Sequence, residues 1–308
     1  MWQSDRIMTR VAFLLVPHLH ILDLAGAAQA FSGAADLGLG YELDFLAERS
    51  SVPTAQGLVL DARTDWPSLG TGDLLVVPGW RGSMLGRRDL LGERAVALIR
   101  DHHAAGGTVA SVCAGAEALG RAGLLEGRRC TTHHRLQDEL ARRYPRATVV
   151  RDVLYVVDDR VVSSAGIASG IDLSLYLLAM RHGPAVAAQV AREMVVYARR
   201  NGDEPQASAM LRHRGHLSDV VHRVQDEIDS RYDEPLPLSE LAALAGVSER
   251  TLTRRFAGAT GITPLRYQQQ LRVERAEHLI GHGDTVEAAA RAVGFDDPRM
   301  LRRLRSRV

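Results

Sequence analysis

Two sets of residues in this 308-residue chain are spaced for chemistry. The first is a run of arginines on a helical motif that occurs twice. Residues 238–256 read LSELAALAGVSERTLTRRF and residues 286–303 read VEAAARAVGFDDPRMLRR. Each copy has a small residue (Ala242, Ala290), a glycine four positions on (Gly246, Gly294) and an apolar residue directly after it (Val247, Phe295). Ser248 or Asp297 then stands where a second helix needs an N-cap, and that helix carries arginine. The small residue lets two helices cross closely, and glycine takes a turn that a Cβ would oppose. The offset is 48 residues for both pairs (242 to 290, 246 to 294), the mark of a duplicated helix-turn-helix. Arg250, Arg254 and Arg255 gather on the first presumptive reading helix, and Arg299, Arg302, Arg303, Arg305 and Arg307 on the second. A guanidinium donates in pairs to phosphate and to guanine edges. A solvated helix face would carry such charges too, and it is the repeat that favours DNA.

The second set centres on Cys113. In the stretch VASVCAGA a short apolar strand runs into Cys113, and Ala114, Gly115 and Ala116 keep the following turn uncrowded. That is the pattern of a nucleophile elbow, a strand-to-helix turn that presents its side chain at the sheet edge. The helix N-terminus behind it is expected to lower the thiol pKa. A lone cysteine is otherwise an inert, buried filler.

The elements that must position these residues can be read from periodicity. Residues 11–16, 41–46, 74–77 and 109–112 are apolar runs of strand length. Helical patterns fall at 21–35, 90–105, 114–122, 167–180 and from Pro184 to 199. Residues 148–150 and 154–162 read as strands around a turn at Asp158 and Asp159. This alternation predicts an α/β fold: a flavodoxin-like, mostly parallel sheet with helices on both faces, followed by an all-α double helix-turn-helix domain. The expected domains are 8–198 (sensing or dimerisation), 199–216 (linker, from the polar NGDEPQAS stretch) and 217–308 (DNA binding). Residues 217–232 form an amphipathic helix. Thr263 caps, and Pro264 opens, a helix to about Ile280. At 1.5 Å per residue it is about 25 Å long, a spacer suited to holding two reading helices near successive major-groove turns.

Composition narrows the class. Hydrophobic content of 46% and charged content of 24% fit a globular protein, and a net charge of +1 excludes a polycation. All 38 basic residues are arginine, which reads as base composition of the genome. Residues 234–308 hold 12 Arg against 9 acidic residues. Two cysteines, Cys113 and Cys130, without metal-ligand spacing imply neither a disulfide framework nor a metal. No cofactor is implied. No leader peptide precedes Asp5 and Arg6, and no eighteen-residue apolar run exists, so the expectation is a cytoplasmic protein without membrane contact.

The C-terminal residues resemble the AraC/XylS family of transcription regulators from about 217 to 303. The resemblance rests on A-x-x-x-G-V-S-x-R-x-L-x-R-x-F at 242–256, T-G-I-T-P at 260–264, R-V-E-R-A-E-H-L-I at 272–280 and G-F-x-D-P at 294–298. It implies two helix-turn-helix units joined by a helix. Base-reading positions fall on Arg250, Thr253 and Arg254, then on Arg299, Met300 and Arg303, with Arg302 completing the DNA-contacting set. Met300 can meet only a thymine methyl. The family places an aromatic residue where Arg305 stands, then a second T-G-x-x-P-x-x-Y stretch, and neither occurs here. The second unit is therefore expected to be truncated and to fray before the first, which hydrogen exchange would read.

Residues 9–195 resemble the PfpI-like branch of the class I glutamine amidotransferase-like superfamily. The matching stretches are VAFLLVPHLHILDLAG, LLVVPGW, SVCAGA, AGLLEGRRCTTHH and AGIASGIDLSLYLL. Together the halves resemble the GlxA-type regulators. That superfamily sets a carboxylate beside the elbow cysteine, and Asp23 holds the position; it could equally cap its own helix. Amides near Gly79 and Ala114 would line an oxyanion-type pocket, so Cys113, Asp23, Gly79 and Ala114 form the candidate ligand or redox site. No catalytic residue is assigned. Hydrolytic members place His directly after the cysteine, where this chain has Ala114, and no His-x-Glu pair precedes Gly166. His133 and His134 read as surface residues of a helix start; His18, His20, His102 and His103 carry no interpretable spacing. The resemblance implies a DNA-binding transcription regulator, a homodimer, whose first domain senses a small-molecule effector. The alternatives are a cysteine-dependent hydratase or amidase of isocyanide-hydratase type with a DNA-binding appendage, or a redox sensor through Cys113.

Overall fold

The computed structural model describes residues 8–196, 200–204, 206, 213–281 and 283–305. The chain divides into two compact units, Met1–Gln206 and Ala207–Val308.

The first unit is built on a six-stranded sheet. Its strands are β1 (Thr9–Leu14), β2 (Tyr41–Leu46), β5 (Leu74–Val77), β6 (Thr108–Val112), β9 (Tyr155–Asp158) and β10 (Val161–Ser164), in the order β2-β1-β5-β6-β10-β9. All neighbours pair in parallel except β9 with β10. β5 is buried at every position, as is β10, and β1 from Val11 to Leu14. Such strands are covered on both faces, which is why they read as continuous apolar runs. The helices are α1 (Ile21–Asp36), α2 (Glu93–Ala104), α3 (Ala116–Arg121), α4 (Gln137–Arg143), α5 (Ser169–His182) and α6 (Pro184–Glu193). α1, α5 and α6 pack on one another, and α2 packs on α3 and β6. The strand order switches side at β1, whose neighbours are β2 on one side and β5 on the other. The crevice at the carboxyl ends of the strands opens there, the usual ligand side of such a sheet.

Several boundaries differ from the sequence reading for identifiable reasons. The helix expected from 90 starts at Glu93, because the Glu48 carboxylate holds the Gly92 amide (2.9 Å) and ends the preceding loop. Residues 154–162 fall in the hairpin β9–β10, turned at the expected place with Asp159 at φ +54°. The strand at 148–150, β8 (Thr148–Val149), instead pairs with β7 (Arg129–Cys130). The hairpin of β3 (Ser51–Pro53) and β4 (Val59–Asp61) and the whole of α4 carried too little periodicity to be read. The helix from Pro184 ends at Glu193; residues 197–199 of its expected span lie outside the described residues.

Described residues of the expected linker are held against sequence-distant segments. Asp172, 4% exposed, accepts hydrogen bonds from the Arg200 amide and guanidinium. Gly202 O accepts from the amides of Leu154 and Tyr155. In the second unit His213 lies between Thr260 O and Gln270 Oε1, and Arg214 pairs with Asp226 and Asp229. Pro205 and residues 207–212 of the expected linker lie outside the described residues.

The second unit contains α7 (Asp219–Ser230), α8 (Leu238–Ala245), α9 (Glu249–Thr260), α10 (Pro264–Gly281), α11 (Val286–Ala292) and α12 (Pro298–Arg305). It has two cores. Val221, Ile228, Leu252, Phe256, Tyr267 and their neighbours form the first; Val273, Ala276, Ala290, Phe295, Leu301 and Leu304 belong to the second. α10 gives residues to both.

Candidate functional site

The turn chemistry of the two helix-turn-helix units follows from their sequence. α8 ends on Gly246 in the left-handed region (φ +65°, ψ +33°), and Gly294 turns the second unit at φ +79°. Ser248 Oγ accepts from the Thr251 amide (3.3 Å) to open α9, and Asp297 Oδ1 accepts from the Arg299 amide (2.9 Å) to open α12. These caps satisfy amides that the first helical turn leaves bare. Ala242 and Ala290 are buried at the helix crossings.

On α9, Arg250 and Arg254 are exposed and Thr253 is half-buried. On α12, Arg299, Arg302 and Arg303 are exposed, while Met300 leans on the second core. Among the described residues, Arg250, Arg254 and Arg299 make no side-chain hydrogen bond or ion pair, so their donors are open to a ligand. Arg302 instead pairs with Glu287, and an Arg303 nitrogen lies 2.9 Å from Met300 Sδ. Arg305, at the position where the resembled family carries an aromatic anchor, reaches back to Glu277 of α10 through two contacts of 2.6 and 3.1 Å. Arg307 lies outside the described residues.

Arg272 of α10 is a residue whose role the sequence reading missed. Its guanidinium donates to Tyr232 O (2.5 Å), Glu234 O (2.8 Å) and Gly294 O (2.5 Å). It also sits over the Phe295 ring, 5.5 Å from its centroid. The first two carbonyls belong to the connection between α7 and α8, the third to the turn of the second unit. One side chain therefore ties the two helix-turn-helix units together. The sequence marked it only as the first residue of the R-V-E-R-A-E-H-L-I stretch.

In the first unit the four candidate residues converge at the carboxyl edge of the sheet. Cys113 follows β6 in a 3₁₀ turn at φ +55°, a strained value for a residue with a Cβ. Asp23 comes from the first turn of α1, and Gly79 follows β5. A Cβ on Gly79 would lie 2.5 Å from Asp23 Oδ2, 2.7 Å from Cys113 Cβ and 2.8 Å from Ala114 N. A Cβ on Gly166 would lie 2.2 Å from Cys113 Cβ. Both positions require glycine because the elbow is packed from two sides.

That packing corrects two expectations. The thiol is not presented to solvent: Cys113 is 4% exposed. Its pKa is not lowered but raised, by burial first and then by the charge of Asp23; the Ala114 amide offsets only part of this. Desolvation outweighs the helix terminus because the thiolate would lose water on every side. Nor does Asp23 cap its helix. It is 0% exposed, and its Oδ1 accepts from the Ile167 amide (2.6 Å), 144 residues away. Oδ2 has no conventional N–H or O–H donor and faces the Cys113 thiol. Burial pushes this carboxyl up, opposed in part by the Ile167 amide, His20 and the thiol.

A carboxyl raised in the folded state binds its proton more tightly there than in the unfolded chain. Its contribution to stability is therefore present at low pH and lost as pH rises through the folded value. Asp23→Asn keeps an acceptor for the Ile167 amide and cannot ionise. The melting temperature of the first unit in this variant, relative to the parent, is expected to climb as pH rises above the ordinary carboxylate value of about 4. Each kcal/mol of relief moves it by about 2–4 °C. A pH-independent difference would show that Asp23 carries no ionisation cost.

His133 and His134 sit at a helix start, as the sequence suggested. His133 caps the 3₁₀ turn His134–Leu136 and stacks on His134 with ring centroids 4.2 Å apart. The neighbouring Thr132 donates to Cys113 O (2.7 Å). Gln206 donates to Thr132 O (3.0 Å) and Val153 O (2.9 Å) and accepts from the His134 amide (2.8 Å). The last described residue of this unit is thus two hydrogen bonds from the elbow. Two cavities, of about 330 and 560 Å³, lie away from the four-residue cluster. Among the described residues no group of three His, Cys, Asp or Glu side chains could hold a metal, and no helix is long and apolar enough to cross a membrane.

The profile of the DJ-1/PfpI family matches residues 9–180, and a helix-turn-helix domain profile matches 241–308. The HTH-type transcriptional regulator CdhR of Pseudomonas aeruginosa is 29% identical over 296 residues, spanning 94% of this chain and 86% of its own. The HTH-type transcriptional regulator GlxA of Rhizobium meliloti is 25% identical over 306 residues, 96% and 91% of the two chains. An isonitrile hydratase of Pseudomonas putida is 33% identical over 170 residues, 54% of this chain and 70% of its own. Among solved structures, an AraC family transcriptional regulator from Pseudomonas putida superposes with a TM-score of 0.52 at 25% identity, covering 60% of this chain and 99% of that one. A THiJ/PfpI family protein from Pseudomonas syringae shares the fold, with a TM-score of 0.54 at 22% identity over 78% of this chain and 91% of that one. The chain belongs to the DJ-1/PfpI family, in the group that carries an AraC-type helix-turn-helix domain behind its PfpI domain.

Proposed function

We propose that this protein is a sequence-specific DNA-binding transcription regulator whose PfpI domain senses a small molecule or pairs with a second copy. The observation that carries the reading is the duplicated reading helix, each copy capped, turned by a left-handed glycine and bearing exposed arginine. Arginine contacts to phosphate supply salt-dependent affinity, and Arg250, Thr253, Arg254, Arg299 and Arg303 supply selection at base edges, with Arg302 drawn from Glu287 to phosphate. The rigid α10 holds the two readers for neighbouring turns of one duplex. A chain that reads DNA in this way works in the cytoplasm. Footprinting of genomic fragments with the full chain tests the reading: a protected site spanning two groove segments per monomer is expected, and no preference over random competitor would sink it. Arg254→Ala should cost about 1–3 kcal/mol on the selected site and relax one base preference. An equal loss on random DNA would make Arg254 a phosphate contact only.

The likeness to an isonitrile hydratase and the Asp23–Cys113 pair favour a second reading, a cysteine-dependent hydratase. Against it stands the sealed thiol, which remains protonated at neutral pH and is a poor nucleophile and a slow target for peroxide. Turnover of an isonitrile abolished by Cys113→Ser, with DNA binding untouched, would establish the enzyme. Unchanged DNA binding and effector response in Cys113→Ala would leave the cysteine a packing residue.

A further inference from the structure

The 560 Å³ cavity is walled by the segment after β5, the start of α2 and the ends of α3 and α4. Three of its eight lining residues are arginines: Arg88, Arg121 and Arg143. Two are held in place. Arg143 makes two contacts of 3.0 and 3.1 Å to Glu117, which is 2% exposed, so the buried carboxylate fixes the plane of the guanidinium. The Arg121 side chain is only 15% exposed and donates to Leu91 O (2.6 Å). Its one carboxylate neighbour, Glu93, stands 3.5 Å away and is 90% exposed, a partner largely screened by water. Arg88 is exposed and, among the described residues, makes no side-chain hydrogen bond or ion pair. Gly86 and Gly120 leave the cavity open where Arg143 and Tyr144 pass close to the backbone.

Arg143 pairs with Glu117 and, at 3.7 Å, with the half-buried Glu139, so what is left to the cavity is Arg88 and Arg121 against the solvated Glu93. Each guanidinium carries five N–H donors and no acceptor, and most of those donors are unused. Donors immobilised by buried partners lose little freedom when a ligand arrives, which is the condition for tight recognition of a planar or tetrahedral oxyanion. None of the elbow residues contributes to this wall.

We propose that this cavity binds a small molecule bearing a phosphate or several carboxylates, with Arg121 and Arg143 as a preset floor and Arg88 closing over the anion from the rim. The site is independent of the Cys113 elbow and of the DNA-reading helices.

The test is titration calorimetry on the full chain at low ionic strength with inorganic phosphate, pyrophosphate and citrate. The three probes separate single phosphate, diphosphate and polycarboxylate recognition. Arg88→Ala removes a side chain with no partner among the described residues, so its melting temperature should match the parent. At least one probe should bind the parent, weaken about tenfold or more in Arg88→Ala and fail to bind Arg88→Glu. Arg254→Ala should leave that affinity unchanged, which separates this cavity from the arginines of the reading helices. Binding equally strong in both Arg88 variants, binding lost in Arg254→Ala, or no binding of any probe to the parent would overturn the assignment.

Discussion

Phe256→Ala should destabilise the DNA-binding unit while leaving the PfpI domain intact. Phe256 is fully buried and meets Tyr267 edge to face, with ring centroids 5.7 Å apart, at the centre of the core that joins α7, α8, α9 and α10. Tyr267 in turn donates to Asp229 (2.7 Å), which Arg214 also holds (2.7 Å), so the ring is fixed at its polar end and cannot slide into the hole. Truncating a buried Phe costs about 3–5 kcal/mol. A unit of this size has about 5–15 kcal/mol in all, and each kcal/mol lowers its melting temperature by about 4–8 °C. Calorimetry on the full chain should therefore show one transition falling by about 12 °C or more while the other stays. Specific DNA binding should vanish at temperatures between the two transitions. A variant that keeps both transitions in place would mean that Phe256 is not the anchor of this core.

Arg272→Ala is expected to have the next largest effect, and of a different kind. Its removal leaves Gly294 O without the side-chain donor, and leaves the carbonyls of Tyr232 and Glu234 to Gln268, which also donates to both (3.0 and 2.8 Å). Hydrogen bonds from a charged donor are worth about 1.5–3 kcal/mol each, less when removed as a set, so a loss of about 3 kcal/mol is reasonable. Burial of the guanidinium pulls its pKa down from the ordinary arginine value, and an arginine side chain keeps its charge in proteins. The loss falls on the contact between the two helix-turn-helix units, where a Cβ on Gly294 would already lie 1.8 Å from Asp233 O. Each unit keeps its own caps and core. The expected readout is earlier hydrogen exchange across α11 and α12 than across α8 and α9, and a footprint shortened to one groove segment. Arg272→Lys should not rescue, because a single ammonium cannot reach three carbonyls set around a planar fork. A full-length footprint in the lysine variant would show that charge alone suffices.

The two results bear on how one chain reads two groove segments. The first core buries two aromatic rings, Phe256 and Tyr267; the second buries one, Phe295, among aliphatic residues, and Tyr232 packs against both. Its other support is borrowed, through Arg272 from α10 and through the Arg305–Glu277 pair. The second reader therefore depends on α10 for its position more than the first does.

The double helix-turn-helix was legible because its information is local. A left-handed turn needs Gly246 or Gly294 whatever surrounds it, a cap needs Ser248 or Asp297 within three residues of the amide it serves, and helix periodicity buries Ala242 and Ala290 by counting alone. The strands of the parallel sheet were legible for the same reason, as apolar runs covered on both faces. The chemistry of Cys113 was not. Its neighbours could be named singly, but whether the thiol is exposed or sealed depends on Gly79, Gly166 and an Asp23–Ile167 bond spanning 144 residues, and desolvation is a property of the assembled packing. The bridge made by Arg272 and the fastening of Arg200, Gly202 and Gln206 are likewise contacts between segments that no spacing rule connects. Local sequence determined which residues turn, cap and present arginine; only the tertiary structure decided which charged and reactive groups face water, because burial is shared among residues distant in the chain.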